Sequence, residues 1–183
     1  MQQPIVISGA GILGCYISCA LSLQGIDSIV LEKKDDEVED SVRTITLNPF
    51  SKNLLDKIGI ENDYSMINKM EVKDFDGTGK IVFKSSEIGM DHLAYVSDFA
   101  TLLMAVRKKA SEKILYKEEI IDIDNKGDLN EVTLSSGKVI KTNLIISSDG
   151  KNSKLANKIP KSDKDYFQTA LTFLASAEKD MNM

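Results

Sequence analysis

The chain is poor in the residues from which many reactive sites are built. Its 183 residues include two cysteines, one histidine and three prolines. Cys15 and Cys19 stand four apart on an expected helix and share one face, with His92 far along the chain. They make no convincing metal set and read as small buried hydrophobes. His92, in GMDHLAYV, reads as a loop histidine with no special role. A surplus of positive charge is also missing: 23 Lys and Arg against 28 Asp and Glu leave a net −5. That balance argues against a nucleic-acid partner, which needs a basic face. No run approaches the roughly 20 apolar residues that span a bilayer. The first apolar run, from Pro4, has no basic region before it and contains three glycines, so it is not expected to be a signal peptide. The expected location is the cytoplasm, with a peripheral place at the inner membrane left open. No internal repeat, low-complexity tract or flexible linker interrupts the chain.

What is present is an ordinary globular composition, 42% hydrophobic and 28% charged. That is enough for one domain, or one domain plus part of another. PIVIS (4–8) predicts a strand, residues 12–24 a helix ended by Gly25, and DSIVLEKK a second strand. This βαβ opening implies a parallel sheet. The acidic run DDEVED (35–40) reads as a solvated loop. Asn48-Pro49 predicts a capped helix closed by Gly59. EVKDF and KIVF read as a strand pair, AYVS as a short strand, and DFATLLMAVRKKA (98–110) as an amphipathic helix. Asp98 is expected in its first turn and Arg107, Lys108 and Lys109 in its last, complementing the dipole. An inserted antiparallel β element is expected within 115–141, with Ser135-Ser136-Gly137 as a hairpin turn. LIISSDG (144–150) predicts a buried strand, SKLANK a short helix, and YFQTALTFLASAE (166–177 and beyond) a further strand.

Three constellations carry chemistry. In Gly9-Ala10-Gly11-Ile12-Leu13-Gly14, the first glycine permits a tight strand-to-helix turn and the second lets a pyrophosphate approach the backbone. The third lets the helix lie close to the strand, and the helix start offers N–H groups to the phosphates. Glu32 follows 18 residues after Gly14, at the end of the second expected strand. There a carboxylate accepts hydrogen bonds from an adenosine ribose and repels a 2′-phosphate. NAD and FAD share this half, so the pattern leaves both open. Arg43 reads either as a neutraliser of pyrophosphate charge or as an ordinary surface arginine. Asp149-Gly150, ending an apolar strand, reads either as a ligand site at the carboxyl edge of the sheet or as a simple turn.

In this order and spacing the motifs resemble the flavoprotein aromatic hydroxylases, the family of para-hydroxybenzoate hydroxylase and the ubiquinone-biosynthesis hydroxylases. The match runs through Gly9, Gly11, Gly14 and Glu32, through Arg43 in RTITLNPFSKNLLDKIGI, through AYVSDFATLLMAV, and through Asp149, Gly150 and Ser153. RTITLN and the helix after YVS are most similar to the ubiquinone-type enzymes. The resemblance implies an α/β Rossmann-type FAD/NAD(P)-binding fold ending at the start of a second domain. It also implies a cofactor site drawn from Gly9 to Gly14, Glu32, Lys33, Arg43, Asp149 and Gly150. FAD is the implied cofactor, NAD(P)H the transient reductant, and a small phenolic molecule the substrate, with a polyprenylated one left open. Residues 1–162 would bind FAD, and 163–183 would begin a substrate domain. Two departures are Ser97-Asp98-Phe99-Ala100, where the family often has a polar or basic residue, and Ala156, where it often has arginine. The family's G-D-A-x-H segment is absent, so the isolated chain is expected to hydroxylate nothing. It is also expected to associate through its apolar tail or to work with a C-terminal half supplied separately. An NAD-linked Rossmann oxidoreductase and a non-catalytic remnant are the alternative readings.

Overall fold

The apolar runs and glycine breaks are realised as a succession of short elements in a computed structural model. It describes residues 3–38, 42–74, 77–150, 153, 155, 164, 166–169 and 171. In chain order they are β1 (Ile5–Ser8), α1 (Ile12–Leu23), β2 (Ser28–Glu32), β3 (Thr44–Leu47), α2 (Pro49–Lys57), β4 (Ser65–Ile67), β5 (Lys69–Lys73) and β6 (Lys80–Lys84). There follow β7 (Ala94–Asp98), α3 (Phe99–Ala110), β8 (Ile114–Tyr116), β9 (Ile120–Asn125), β10 (Asn130–Leu134), β11 (Val139–Thr142) and β12 (Ile145–Ser147). They divide into two compact units, one from residues 1–39 and 103–169, the other from 40–102 and 170–183.

The first unit holds a parallel sheet of order β12-β1-β2-β8. Val6 pairs with Ile29 on one side of β1 and with Ile145 on the other. Strand alternation sends Val6 and Leu31 to one face and Ile7 and Val30 to the other. On the first face lies the antiparallel sheet β11-β10-β9, and Val6 and Leu31 share a core with Ile120, Val132, Leu134 and Ile140. This is the antiparallel insertion expected within 115–141, and it reaches Thr142. Its β10–β11 turn has Gly137 at φ +84°, as expected of a left-handed position. Helix α1 packs on β1 and β2. Its buried Ser18 hydroxyl bonds the Ser28 hydroxyl at 2.9 Å, and its two cysteines are buried, as expected, and form no disulfide. Burial pushes the Cys15 thiol up to about 12, against the opposing pull of Arg107.

The second unit contains the antiparallel sheet β3-β7-β4 and the hairpin β5–β6. The TITL segment, read from sequence only as part of a motif, is strand β3 and pairs antiparallel with β7. Asn48 caps α2 by accepting from the Ser51 N–H at 2.7 Å, with Pro49 at the first turn and Gly59 at φ +72° beyond its end. His92 sits against the Asn68 side chain at 2.6 Å and the Tyr95 ring edge at 5.4 Å. Asp98 differs from expectation. It ends β7 and caps α3 from outside, its Oδ1 accepting from the Thr101 N–H at 2.7 Å and the Thr101 hydroxyl at 2.8 Å. The difference is one residue and follows from the preference of short acidic side chains for the cap itself. Of the strand expected over 166–177, residues 166–169 and 171 form no strand, and the others lie outside the described residues. The same holds for most of SKLANK.

Candidate nucleotide site

The strand order places a topological switch beside β1, since β2 lies on one side of it and β12 on the other. Open α/β sheets bind ligands at the carboxyl ends of such strands. Here that edge forms a cleft of about 260 Å³ lined by Gly9, Gly11, Glu32, Lys33, Arg107, Ser148, Asp149 and Gly150, among others. Six of the residues expected from sequence therefore meet in one place.

The three glycines are held by different constraints. Gly9 has φ +100°, and a Cβ there would lie 2.7 Å from the Asp149 Cα and from the Ser148 carbonyl oxygen. A Cβ on Gly14 would collide with the Gly9 carbonyl oxygen and lie 2.6 Å from the Ser148 hydroxyl. Gly11 is different: nothing lies within 4 Å of an added Cβ, and its φ of −73° suits any residue. The described chain gives no internal reason for glycine there, whereas an approaching diphosphate does. Gly11 also caps α1 without a side chain. The first-turn N–H groups of Ile12, Leu13 and Gly14 have no intrahelical acceptor and meet no capping side chain among the described residues. Ile12 and Leu13 thus contribute through backbone rather than side chain; neither lines the cleft. These features fit the phosphate half of a dinucleotide.

Glu32 ends β2 with both carboxylate oxygens engaged. Oε2 accepts from the Ala10 N–H at 3.1 Å and Oε1 from the Lys34 N–H at 3.0 Å. A carboxylate offers about four lone-pair sites, so room remains for a ribose diol. Ala10 is buried and acts through its backbone, while Lys33 is exposed at the rim. At the end of β12, the Ser147 hydroxyl donates to Asp149 Oδ1 at 2.7 Å and fixes that carboxylate at the mouth. It also meets the buried Ser153 hydroxyl at 2.8 Å. Gly150 turns the chain at φ +78°. Arg43 belongs to the second unit and does not line this cleft. Its guanidinium stacks over the Phe99 ring, 4.0 Å from the centroid, and its carbonyl accepts from the Phe99 N–H at 3.0 Å.

Two residues of the site were not singled out in the sequence. Ser148 donates its hydroxyl to the Ser8 and Gly9 carbonyls at 2.9 and 3.1 Å, locking β12 to the glycine turn. Its position directly before Asp149-Gly150 was the available clue. Arg107, expected only as a dipole partner in the last turn of its helix, is buried and donates its Nε to the Ala10 carbonyl at 3.0 Å. Its isolated sequence position offered no signal, because a run of three cations normally marks a wet helix end.

The arrangement is a Rossmann-type FAD/NAD(P)-binding fold: parallel sheet, glycine turn, and an antiparallel insertion on one face. The family model described as "FAD binding domain" matches residues 2–177, and the chain belongs to that family, whose members include FAD-dependent monooxygenases. It is 26% identical over 197 residues to the mitochondrial ubiquinone biosynthesis monooxygenase COQ6 of Danio rerio, with 91% of this chain and 40% of that protein aligned. It is also 26% identical over 170 residues to the Escherichia coli 3-demethoxyubiquinol 3-hydroxylase, covering 84% and 43% respectively. Among solved structures it matches a mutant of Pseudomonas aeruginosa PqsL at a TM-score of 0.76 and 20% identity, over 91% of this chain and 48% of that one. p-Nitrophenol 4-monooxygenase PnpA from Pseudomonas putida gives 0.70 and 17%, over 86% and 43%. The chain thus spans less than half the length of the relatives it matches.

Proposed function

We propose that this chain is the FAD-binding portion of a flavin-dependent monooxygenase that hydroxylates a small phenolic ring in ubiquinone biosynthesis, with NAD(P)H as passing reductant. The observation that carries the nucleotide reading is the meeting, in one cleft, of an uncapped helix start, a glycine with open space around it, and a carboxylate at the end of β2. FAD rather than NAD is supported by the family to which the chain belongs. The pathway is supported by the names of its relatives in Danio rerio and Escherichia coli.

Bound FAD would supply the oxygen-transfer chemistry; the residues of this chain bind and orient it. The N–H groups of Ile12, Leu13 and Gly14 take the diphosphate, Glu32 takes the ribose hydroxyls, and Lys33 adds a cation at the rim. Asp149 and Gly150 line the same cleft and would be further FAD contacts, as Arg43 would be on the strength of its RTITLNP motif. Residues 1–162 constitute the binding domain, and 163–183 begin the substrate domain. Recognition of the ring, polyprenylated or not, falls to the length that the relatives have in addition, on the same chain or as a separate partner. No described helix is long and apolar enough to cross a membrane.

The test is a flavin titration of the purified chain. A yellow protein that keeps FAD through desalting is the expected result. A chain that takes up NAD but never FAD overturns the proposal.

A further inference from the structure

Arg107 opens a run of three cations at the end of α3, where a surface helix would leave them all in water. Lys108 and Lys109 are exposed, but Arg107 is only 9% exposed. Its Nε donates to the Ala10 carbonyl, and its Nη2 makes an ion pair with Glu32 Oε2 at 3.5 Å. Tyr116 presents its ring at 5.7 Å. The remaining nitrogen, Nη1, is buried with no partner among the described residues. Burying a guanidinium is unfavourable unless its donors are met, and an open donor adds to the penalty.

The two groups that Arg107 holds are the two halves of one reader. Ala10 lies between the glycines of the phosphate turn, and its own N–H is already bonded to Glu32. Arg107 closes the triangle from the carbonyl side of the same residue. Both ends of the Ala10 peptide region are therefore tied to the carboxylate at the end of β2. The cleft around them also carries Glu118, Glu119 and Asp149, so its carboxylates need a cation within reach. The planar fork of arginine can serve a carbonyl and a carboxylate together, which a lysine ammonium cannot match in geometry.

We propose that Arg107 is the positioning residue of the nucleotide site, aiming the Glu32 carboxylate at the ribose by tying it to the glycine turn. This rests on the nucleotide reading above. Without Arg107, Glu32 keeps its place in the sequence but loses its aim. The consequence falls on discrimination between ribose and 2′-deoxyribose, which a generally loosened fold would not change selectively.

Calorimetric titration of the full chain with ADP and with 2′-deoxy-ADP tests it, with melting curves run on every variant. The wild type is expected to prefer ADP by about tenfold, the worth of one charge-assisted hydrogen bond. R107Q should lose most of that preference, E32Q should lose it as well, and the double variant should show no further loss. R107Q that binds both nucleotides more weakly but keeps the tenfold ratio overturns the inference. Should R107Q fail to fold, R107K decides: a folded R107K with the full wild-type preference overturns it, and one with a diminished preference supports it. A wild-type chain that binds neither nucleotide overturns the nucleotide reading itself, and this inference with it.

Discussion

Gly9, Gly11 and Gly14 are interchangeable as letters in a motif, yet the constraints on them differ and so do the expected effects of substitution. At Gly9 the positive φ and the Asp149 backbone leave no place for a side chain. Gly9→Ala should destabilise the chain by about 2 kcal/mol or more. At Gly11 the backbone is ordinary and the space is open. Gly11→Ala should therefore change stability by less than about 1 kcal/mol. It should nevertheless weaken FAD binding by about tenfold or more, because the methyl stands where the diphosphate comes. Urea denaturation beside flavin titration separates the two effects. A Gly11→Ala chain that binds FAD normally would show that no phosphate approaches there. The motif told where the glycines are; only the packing around each told which serves the fold and which the ligand.

Helix α3 shows the same division at the scale of an element. Its existence was legible from amphipathic spacing, and so was the acidic residue at its start. That Asp98 caps from outside, and that Arg107 turns inward, depended on neighbours distant in sequence. The cap makes a testable contribution. Hydrogen bonds from the Thr101 N–H and hydroxyl hold the Asp98 carboxyl below its ordinary value of 3.8. A lowered folded-state value means that stability is present above the ordinary value and is lost as pH falls below it toward the folded one. Asp98→Asn keeps the cap but removes the charge at the helix N-terminus. Urea midpoints should favour the wild type at neutral pH, and the gap should close below about pH 4. A gap that stays constant through this range would show that the charge of Asp98 does not stabilise the helix. The antiparallel insertion was equally legible as an element, because its hairpin turn carries Gly137. Strand β3 was not, since Thr44–Leu47 is too short to show alternation above its surroundings and acquires its identity from pairing with β7.

On the scale of the whole molecule, the first unit is assembled from chain segments far apart. β1 and β2 come from the start, while β8, β12 and the covering sheet come after residue 103. Val6 and Leu31 meet their core partners only when Ile120, Val132, Leu134 and Ile140 arrive. A fragment of residues 1–102 should therefore lack a cooperative transition for this unit and retain no FAD, although it contains the entire glycine motif and Glu32. Circular dichroism and flavin titration check this; a folded, flavin-binding 1–102 would refute the assembly described. The sequence alone determined the βαβ opening, the glycine turn, the acidic residue after it and the class of cofactor they suit, because each depends on spacing within a few turns of chain. Tertiary structure alone decided that Ser148 locks the turn, that Arg107 is buried against Glu32, and that Arg43 stacks on Phe99. Those contacts join residues as many as 140 positions apart. The physical reason is that a charged or hydroxyl side chain is placed by whichever partner the fold delivers, and local pattern carries no record of that partner.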